Sequence, residues 1–346
     1  MGKILTDRPL IVLSSPIKAL AFFFTCISAL FVAEWSIRLA LPTYERSGDL
    51  AFEKDPGTRL VLGQSNTVVR QVKNSGDYDV AVRINRHGLR DRKDVAQGLR
   101  DDLYVVGDSF TFGWGVEETE RFSDRLAKLT GRRVYNLSSP INIDSYENML
   151  SYAASLGAEI KDVVIAINMI DDFVVIEPPA AAPKKVASAE GQKLDVAEVI
   201  HRIKNFLIHN SALYFALTSG VNTIDWLRAA LVRIGLIVTL DKVWGAPGDD
   251  AINQSITALA RIEEKYPVTI MLIPSRGLWV GDKKQELADY HERIRGKLLR
   301  RGFRVVDMRP VFEAAGTPMA FHFQNDGHWN PRGHALAAET LYKVVR

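Results

Sequence analysis

The chain has 346 residues, enough for one large domain or two small ones. Apolar residues make up 47% and charged residues 25%, from which a sizeable core can be built; the net charge of +3 comes without a dense Lys/Arg block, so no nucleic-acid signature is present. The single cysteine, Cys26, excludes an intramolecular disulfide and a cysteine-based metal site while leaving an extracytoplasmic location open.

The first element in the chain is apolar. Residues 19–33 read ALAFFFTCISALFVA without a charge, and extension to 17–37 gives the roughly 20 residues a helix needs to cross about 30 Å of hydrocarbon. Trp35 stands where an interfacial aromatic belongs, Lys18 and Arg38 bracket the ends, and Glu34 is close enough to one end to reach the headgroups. A cleaved signal peptide is a competing reading, but Phe31 and Arg38 occupy the −3 positions before Ala33 and Ala40, where cleavage needs a small residue. A buried helix is a third. The flank carries Lys3, Arg8 and Lys18 against Arg38 and Arg46, a slight bias placing residues 1–16 in the cytoplasm and the bulk of the chain outside. The expectation is a single-pass anchor at 17–37 in a bacterial inner membrane, with the main domain periplasmic or outside the cell.

Residues 42–100 form a polar, turn-rich lead-in. Within DYDVAVRINRHGLRD (77–91), Val80, Val82 and Ile84 alternate with Ala81 and Arg83 as in a half-buried strand, and Gly88 marks a turn. From 101 the pattern becomes short apolar runs separated by amphipathic segments: LYVV (103–106), VYNL (134–137), VVIAINM (163–169), VTIMLI (268–273) and FRVVDM (303–308). Such alternation predicts a three-layer α/β/α sandwich with a mainly parallel sheet over 101–346. It is interrupted at about 177–240. Residues 177–194, rich in Pro, Ala and Lys, read as a flexible loop, and 195–240 as a helical insertion. The insertion is apolar, yet Asp225, Arg228 and Arg233 argue against a second membrane span; covering the sheet and lying on the membrane or a partner both stay open.

Two segments carry chemistry. GDSFTFGWG (107–115) follows the first buried run directly, so Ser109 lies at the carboxyl end of a strand, where open α/β sheets place their sites. Gly107, Gly113 and Gly115 let the backbone approach a ligand closely. A serine nucleophile needs a base, and the base an orienting acid. HFQNDGHWNPRGHALAAETL (322–341) offers Asp326 and His328, two apart and so facing the same way on an extended segment. The bland readings are that DG and NP are simply turn pairs and that His334 begins the last helix. A metal site on Asp326, His328 and His334 fits no familiar zinc or two-metal spacing, and His87, His201, His209, His291 and His322 read as surface or packing residues. GWGVEE lacks the third glycine of a dinucleotide fingerprint, so no cofactor is implied.

These stretches resemble the SGNH/GDSL hydrolase family, specifically a membrane-anchored bacterial branch. VVGDSFTFGWGV resembles the serine block, NDGHWNPRGHALAAETL the Asp/His block, VRINRHGLRD the N-x-x-G-x-R segment ahead of the domain, and AEWSIRLALP the end of the anchor. The resemblance spans about 30–346 outside the insertion and implies a flavodoxin-like sheet. It makes Ser109 the nucleophile, His328 the general base and Asp326 its orienting acid, with the Ser109 N–H donating to the oxyanion and Asp108 holding the turn. It implies a membrane-anchored serine esterase or O-acyltransferase acting on an acyl ester of a cell-envelope glycan or lipid. Two blocks depart from the family. In NLSSPINI, Asn136 is kept but Ser138 and Ile141 stand where glycines are expected; after the third strand, Ile170, Asp171 and Asp172 replace Gly-Asn-Asp. Aspartate cannot donate as asparagine does unless protonated, and its charge opposes an oxyanion. Gly113, Ser138, Asn168 and Asp171 are therefore the candidates for the oxyanion or substrate side. The same departures support an alternative: a degenerate domain that binds a glycan or a protein of an envelope assembly.

Overall fold

The computed structural model describes residues 15–40, 50–55, 60–73, 76–176, 210–233 and 246–345, together with 203, 206 and 207. The expected cytoplasmic tail, the 177–194 loop and the ends of the insertion lie outside the described residues. The chain divides into two compact units, Met1–Arg46 with Gly191–Gly220, and Ser47–Glu190 with Val221–Arg346.

In the first unit, α1 (Ser15–Ala40) contains the apolar stretch Lys18–Ala40, long and apolar enough to cross a membrane. Its described side chains are exposed except for a half-covered stripe, Ala33, Glu34, Ile37 and Arg38, at helical spacing.

The second unit is built on a five-stranded parallel sheet. It begins with two antiparallel hairpins, β1 (Phe52–Lys54) with β2 (Val61–Gly63), and β3 (Thr67–Val72) with β4 (Asp79–Ile84). Val80, Val82 and Ile84 of β4 turn inward, as their alternation predicts. Among its described residues the lead-in therefore holds four strands where the sequence shows one. β1 and β2 are three residues each, too short to display a period, and β3 leaves Val68 and Val72 exposed, which blurs its alternation.

The sheet strands are β5 (Leu103–Gly107), β6 (Val134–Asn136), β7 (Asp162–Asn168), β8 (Val268–Ile273) and β9 (Arg304–Asp307), in spatial order β6-β5-β7-β8-β9, all parallel. They coincide with the five apolar runs. Both faces are buried, and alternate residues feed two cores. Tyr104, Val106, Ile165, Ile167, Ile270 and Leu272 pack under α4 (Ile143–Ser155) and two later helices, 249–263 and 284–300. Leu103, Val105, Val164, Ala166, Met271 and Ile273 pack under α3 (Phe122–Thr130) and the helices 308–314 and 331–345. This is the expected three-layer sandwich. In chain order the remaining helices are α2 (Ser109–Phe112), α5 (Ala212–Thr223), α6 (Asp225–Arg233), α7 (Asp249–Glu263), α8 (Lys284–Arg300), α9 (Met308–Ala314) and α10 (Pro331–Val345).

The strand order has one reversal of winding, between β5 and β7, and a sheet of this kind opens a crevice there beyond the carboxyl ends of its strands. Ser109 follows β5 and Asn168 ends β7, so both stand at that point.

Candidate active site

The serine turn is assembled locally. Asp108, the N-cap of α2, is extended and its carboxylate accepts from the Phe110 N–H at 2.9 Å, which starts the short helix with Ser109 as first residue. At Gly107 a Cβ would meet the Thr111 hydroxyl and lie 2.8 Å from the Ala166 carbonyl, so only glycine lets β5 end this close to β7. The far end of the turn is held from the lead-in. The buried Arg90 donates to the carbonyls of Phe112 (3.1 Å), Gly113 (2.6 Å) and Val116 (2.7 Å). Asn136 fastens it from β6, its Nδ2 donating to the Thr111 carbonyl at 2.8 Å and to Ser123 Oγ at 2.9 Å.

The Asp/His loop is built in the same manner. Asn330 donates through Nδ2 to the carbonyls of Ala320 and His322, and its Oδ1 caps α10 by accepting from Arg332 and Gly333. Pro331 follows at the first helical position, where a missing N–H costs nothing. Arg276 Nη1 donates to the carbonyls of Phe323 (3.2 Å) and Asp326 (2.7 Å). The indole of Trp329 is fully buried between Phe110 and Phe312.

The two segments meet. His328 Nε2 lies 2.8 Å from Ser109 Oγ, and its Nδ1 lies 2.5 Å from Asp326 Oδ1. With Asp326 ionised, Nδ1–H is the donor to it, which leaves Nε2 as acceptor for the serine proton. The Asp326 carboxylate is buried and has four donors: the His328 N–H (3.1 Å), His328 Nδ1, Lys73 Nζ on Oδ2 (3.0 Å) and Tyr78 OH on Oδ2 (3.3 Å). Burial alone would raise this carboxyl; the His328 bond and charge, followed by Lys73, override it and hold it far below the ordinary carboxylate range. Tyr78 in turn accepts from Trp114 Nε1 at 2.9 Å, and burial, with the Asp326 charge, pushes its phenol well up, so it remains a donor. The Trp114 ring stacks on His328 at a centroid distance of 5.8 Å, and Phe110 approaches the imidazole at 4.9 Å.

Lys73, Tyr78 and Trp114 are site neighbours that sequence reasoning missed. Only Trp114 carried a signal, an aromatic inside the glycine-rich serine block. His334, by contrast, is wholly buried, and its Nδ1 accepts from the Phe122 N–H at 3.3 Å; burial lowers its imidazole to about 3. That assigns it to packing.

The four candidates for the oxyanion side are placed differently. Gly113 caps α2, its N–H donating to Ser109 and Phe110 carbonyls. Ser138 is buried, and both its N–H and its hydroxyl are tied to Asn136 Oδ1. Neither is free to serve an oxyanion, a correction to the sequence reading that follows from the caps each completes. Asn168 stays within reach of the crevice. Its Nδ2 donates to Asp171 Oδ2 (2.9 Å) and Asp108 Oδ2 (3.3 Å). Its N–H is held by the buried Asp172 at 2.6 Å, and its Oδ1 accepts from Ile170. Burial raises Asp108 to about 6 and Asp172 well above an ordinary carboxyl; loss of surrounding water also raises Asp171, whose residue is otherwise exposed.

No protein-family model matches the sequence, and no curated protein matches it either. Solved structures do resemble it. A member of the lipolytic G-D-S-L family from Veillonella parvula shares 12% identity over 71% of this chain and 98% of its own, with a TM-score of 0.42. A lipolytic protein of the same family from Desulfitobacterium hafniense shares 12% over 71% and 99%, at 0.40. A catalytic mutant of an acetylxylan esterase from Geobacillus stearothermophilus shares 12% over 72% and 95%, at 0.39. In fold, this chain is similar to solved proteins of the SGNH/GDSL hydrolase family.

Proposed function

We propose that this chain is a membrane-anchored, extracytoplasmic serine esterase or O-acyltransferase whose substrate is an acyl ester of a cell-envelope glycan or lipid. The observation that carries the reading is the hydrogen-bonded series Ser109–His328–Asp326, assembled from segments 219 residues apart. His328 Nε2 takes the Ser109 proton as Oγ attacks the ester carbonyl, and Asp326 holds the imidazole in the required tautomer. The tetrahedral adduct collapses with expulsion of the alcohol, which receives that proton from His328. Water, or a sugar hydroxyl, then attacks the acyl-enzyme with His328 again as base. Water gives hydrolysis and a sugar hydroxyl gives transfer. The Ser109 N–H, at the start of α2, supplies one oxyanion donor. Asn168 Nδ2 supplies the second once it leaves Asp171, which the exposure of Asp171 permits. α1 supplies the anchor and sets the domain at a membrane surface, where such substrates are found.

The alternative, a non-catalytic binding domain, is favoured by one observation: the Asn168 amide is engaged by two carboxylates. Labelling of the full chain in detergent micelles with a fluorophosphonate probe separates the two, because the probe reacts only with an activated serine. The expected result is labelling of the wild type and none of Ser109→Ala. A folded wild type that stays unlabelled sinks the enzymatic reading.

A further inference from the structure

Glu34 is the one acidic residue in the apolar stretch of α1, and it is not left to the solvent. Its Oε1 accepts from the Ala212 N–H at 2.9 Å; its Oε2 accepts from the Leu213 N–H at 2.9 Å and the Ser211 hydroxyl at 2.8 Å. Ser211 Oγ accepts from the Tyr214 N–H at 3.0 Å, so the first three N–H groups of α5 are all satisfied, two of them by a carboxylate from another helix. Arg38, one turn on, donates to Glu34 Oε1 at 2.7 Å and to the Asn210 carbonyl at 2.8 Å. The clamp is polar, but what surrounds it is not. Leu30, Phe31, Trp35, Leu207, Leu213 and Leu217 line an open groove of about 660 Å³ against α1. Phe31 is 63% exposed, Leu217 60%, and Phe206, on the same segment, 63%.

We propose that residues 206–207 and 210–217 form a second membrane contact, seated beside α1 at the boundary of headgroups and acyl chains, with lipid acyl chains as the occupant of the groove. The inference rests on reading α1 as a membrane span. One wall of the groove is α1 itself, so a bilayer that surrounds Leu30 and Phe31 continues across it to Leu217. The depth follows from chemistry. Glu34, Arg38 and Trp35 belong at the polar boundary, since a charge at the bilayer centre costs roughly 2.5–3.5 kcal/mol. The N-terminus of α5, fixed to Glu34, is therefore held at that level, and an interfacial helix buries its apolar side about 5–10 Å into this zone. Exposed phenylalanine and leucine at this position would otherwise face water for no gain in packing.

The test uses the full chain in phosphatidylcholine vesicles, in a Cys26→Ser background, with a bimane fluorophore on a single cysteine at Leu217→Cys or Ile27→Cys. Lipids carry a doxyl quencher either near the headgroup or near the chain end. The expected result is quenching of about twofold at 217 with the shallow quencher and less with the deep one. Position 27 should be quenched more by the deep probe than by the shallow one. Adding Glu34→Ala should lower quenching at 217 and leave 27 unchanged, because only the clamp is lost. Quenching at 27 without quenching at 217 overturns the proposal and leaves the anchor standing, with a second copy of the chain or another protein as the occupant. Absence of quenching at both positions overturns the anchor reading and the proposal together.

Discussion

Asn168 stands between two carboxylates: its amide has two N–H groups and each points at one. Asp171 accepts one of them, and its charge works against any negative oxygen formed nearby. Asp171→Asn should therefore raise turnover of an aryl acetate, by removing that charge and adding a donor. Asn168→Ala should lower it about a hundred- to a thousandfold, the usual cost of one oxyanion donor, with little change in KM. A fall in activity with Asp171→Asn would instead give Asp171 a role in substrate binding. Around Asp326 the predicted losses are smaller. Tyr78→Phe or Lys73→Met removes one charge-assisted bond to Oδ2 and should cost about tenfold in kcat, since Asp326 keeps its bond to His328. An unchanged kcat in both variants means that the lead-in does not position the acid. Ser109, Asp326 and His328 were legible because each sits in a turn whose residue types are constrained by its own backbone. Lys73 and Tyr78 were not, because only the tertiary approach of the hairpin brings them to the acid, and no spacing within one segment records that.

At the scale of elements, the N-x-x-G-x-R stretch acquires a physical meaning. Asn85 Oδ1 accepts from the His87 and Leu89 N–H groups and shapes the turn. Gly88 has φ of +74°, and a Cβ there would lie 2.8 Å from the Leu62 Cβ, so no other residue fits. The turn then delivers Arg90, fully buried, to the carbonyls that follow the serine helix. The segment is the brace of the serine turn, although it lies ahead of the sheet in the chain. Arg90→Met should take their side-chain donor from the Phe112 and Val116 carbonyls and destabilise the domain by about 3 kcal/mol or more, read from denaturant unfolding. A loss below about 1 kcal/mol means that water reaches those carbonyls and the brace is dispensable. The sheet strands were legible as elements because burial on both faces makes them continuous apolar runs. The two hairpins were mostly hidden, because strands of three residues have no period and a half-exposed strand dilutes its own.

Across the whole domain, stability against pH is set by buried groups of opposite sign. His334 is held neutral by burial, its imidazole at about 3 against an ordinary 6.5, and His322 likewise at about 4. Between those values and 6.5 the unfolded chain binds more protons than the folded one, so each histidine makes stability rise with pH. Asp108 acts in the other direction: raised by burial to about 6 from 3.8, it binds its proton in the fold across that interval and makes stability fall as pH rises. The two trends overlap from about pH 4 to 6 and partly cancel, so the wild-type profile is shallower there than the two histidines alone would make it. Substitution separates them. His334→Gln keeps a polar acceptor near the Phe122 N–H but has no proton to gain. Its stability should lie below that of the wild type at pH 7 because the ring stacked on Phe122 is lost. The gap should then close by about 1.4 kcal/mol for each pH unit below 6.5, the linkage of one suppressed protonation. Urea unfolding of both proteins at intervals between pH 7 and pH 4.5 reads this directly. Parallel curves would mean that His334 takes up its proton in the folded state, and the assignment of this residue to a sealed core would have to be withdrawn.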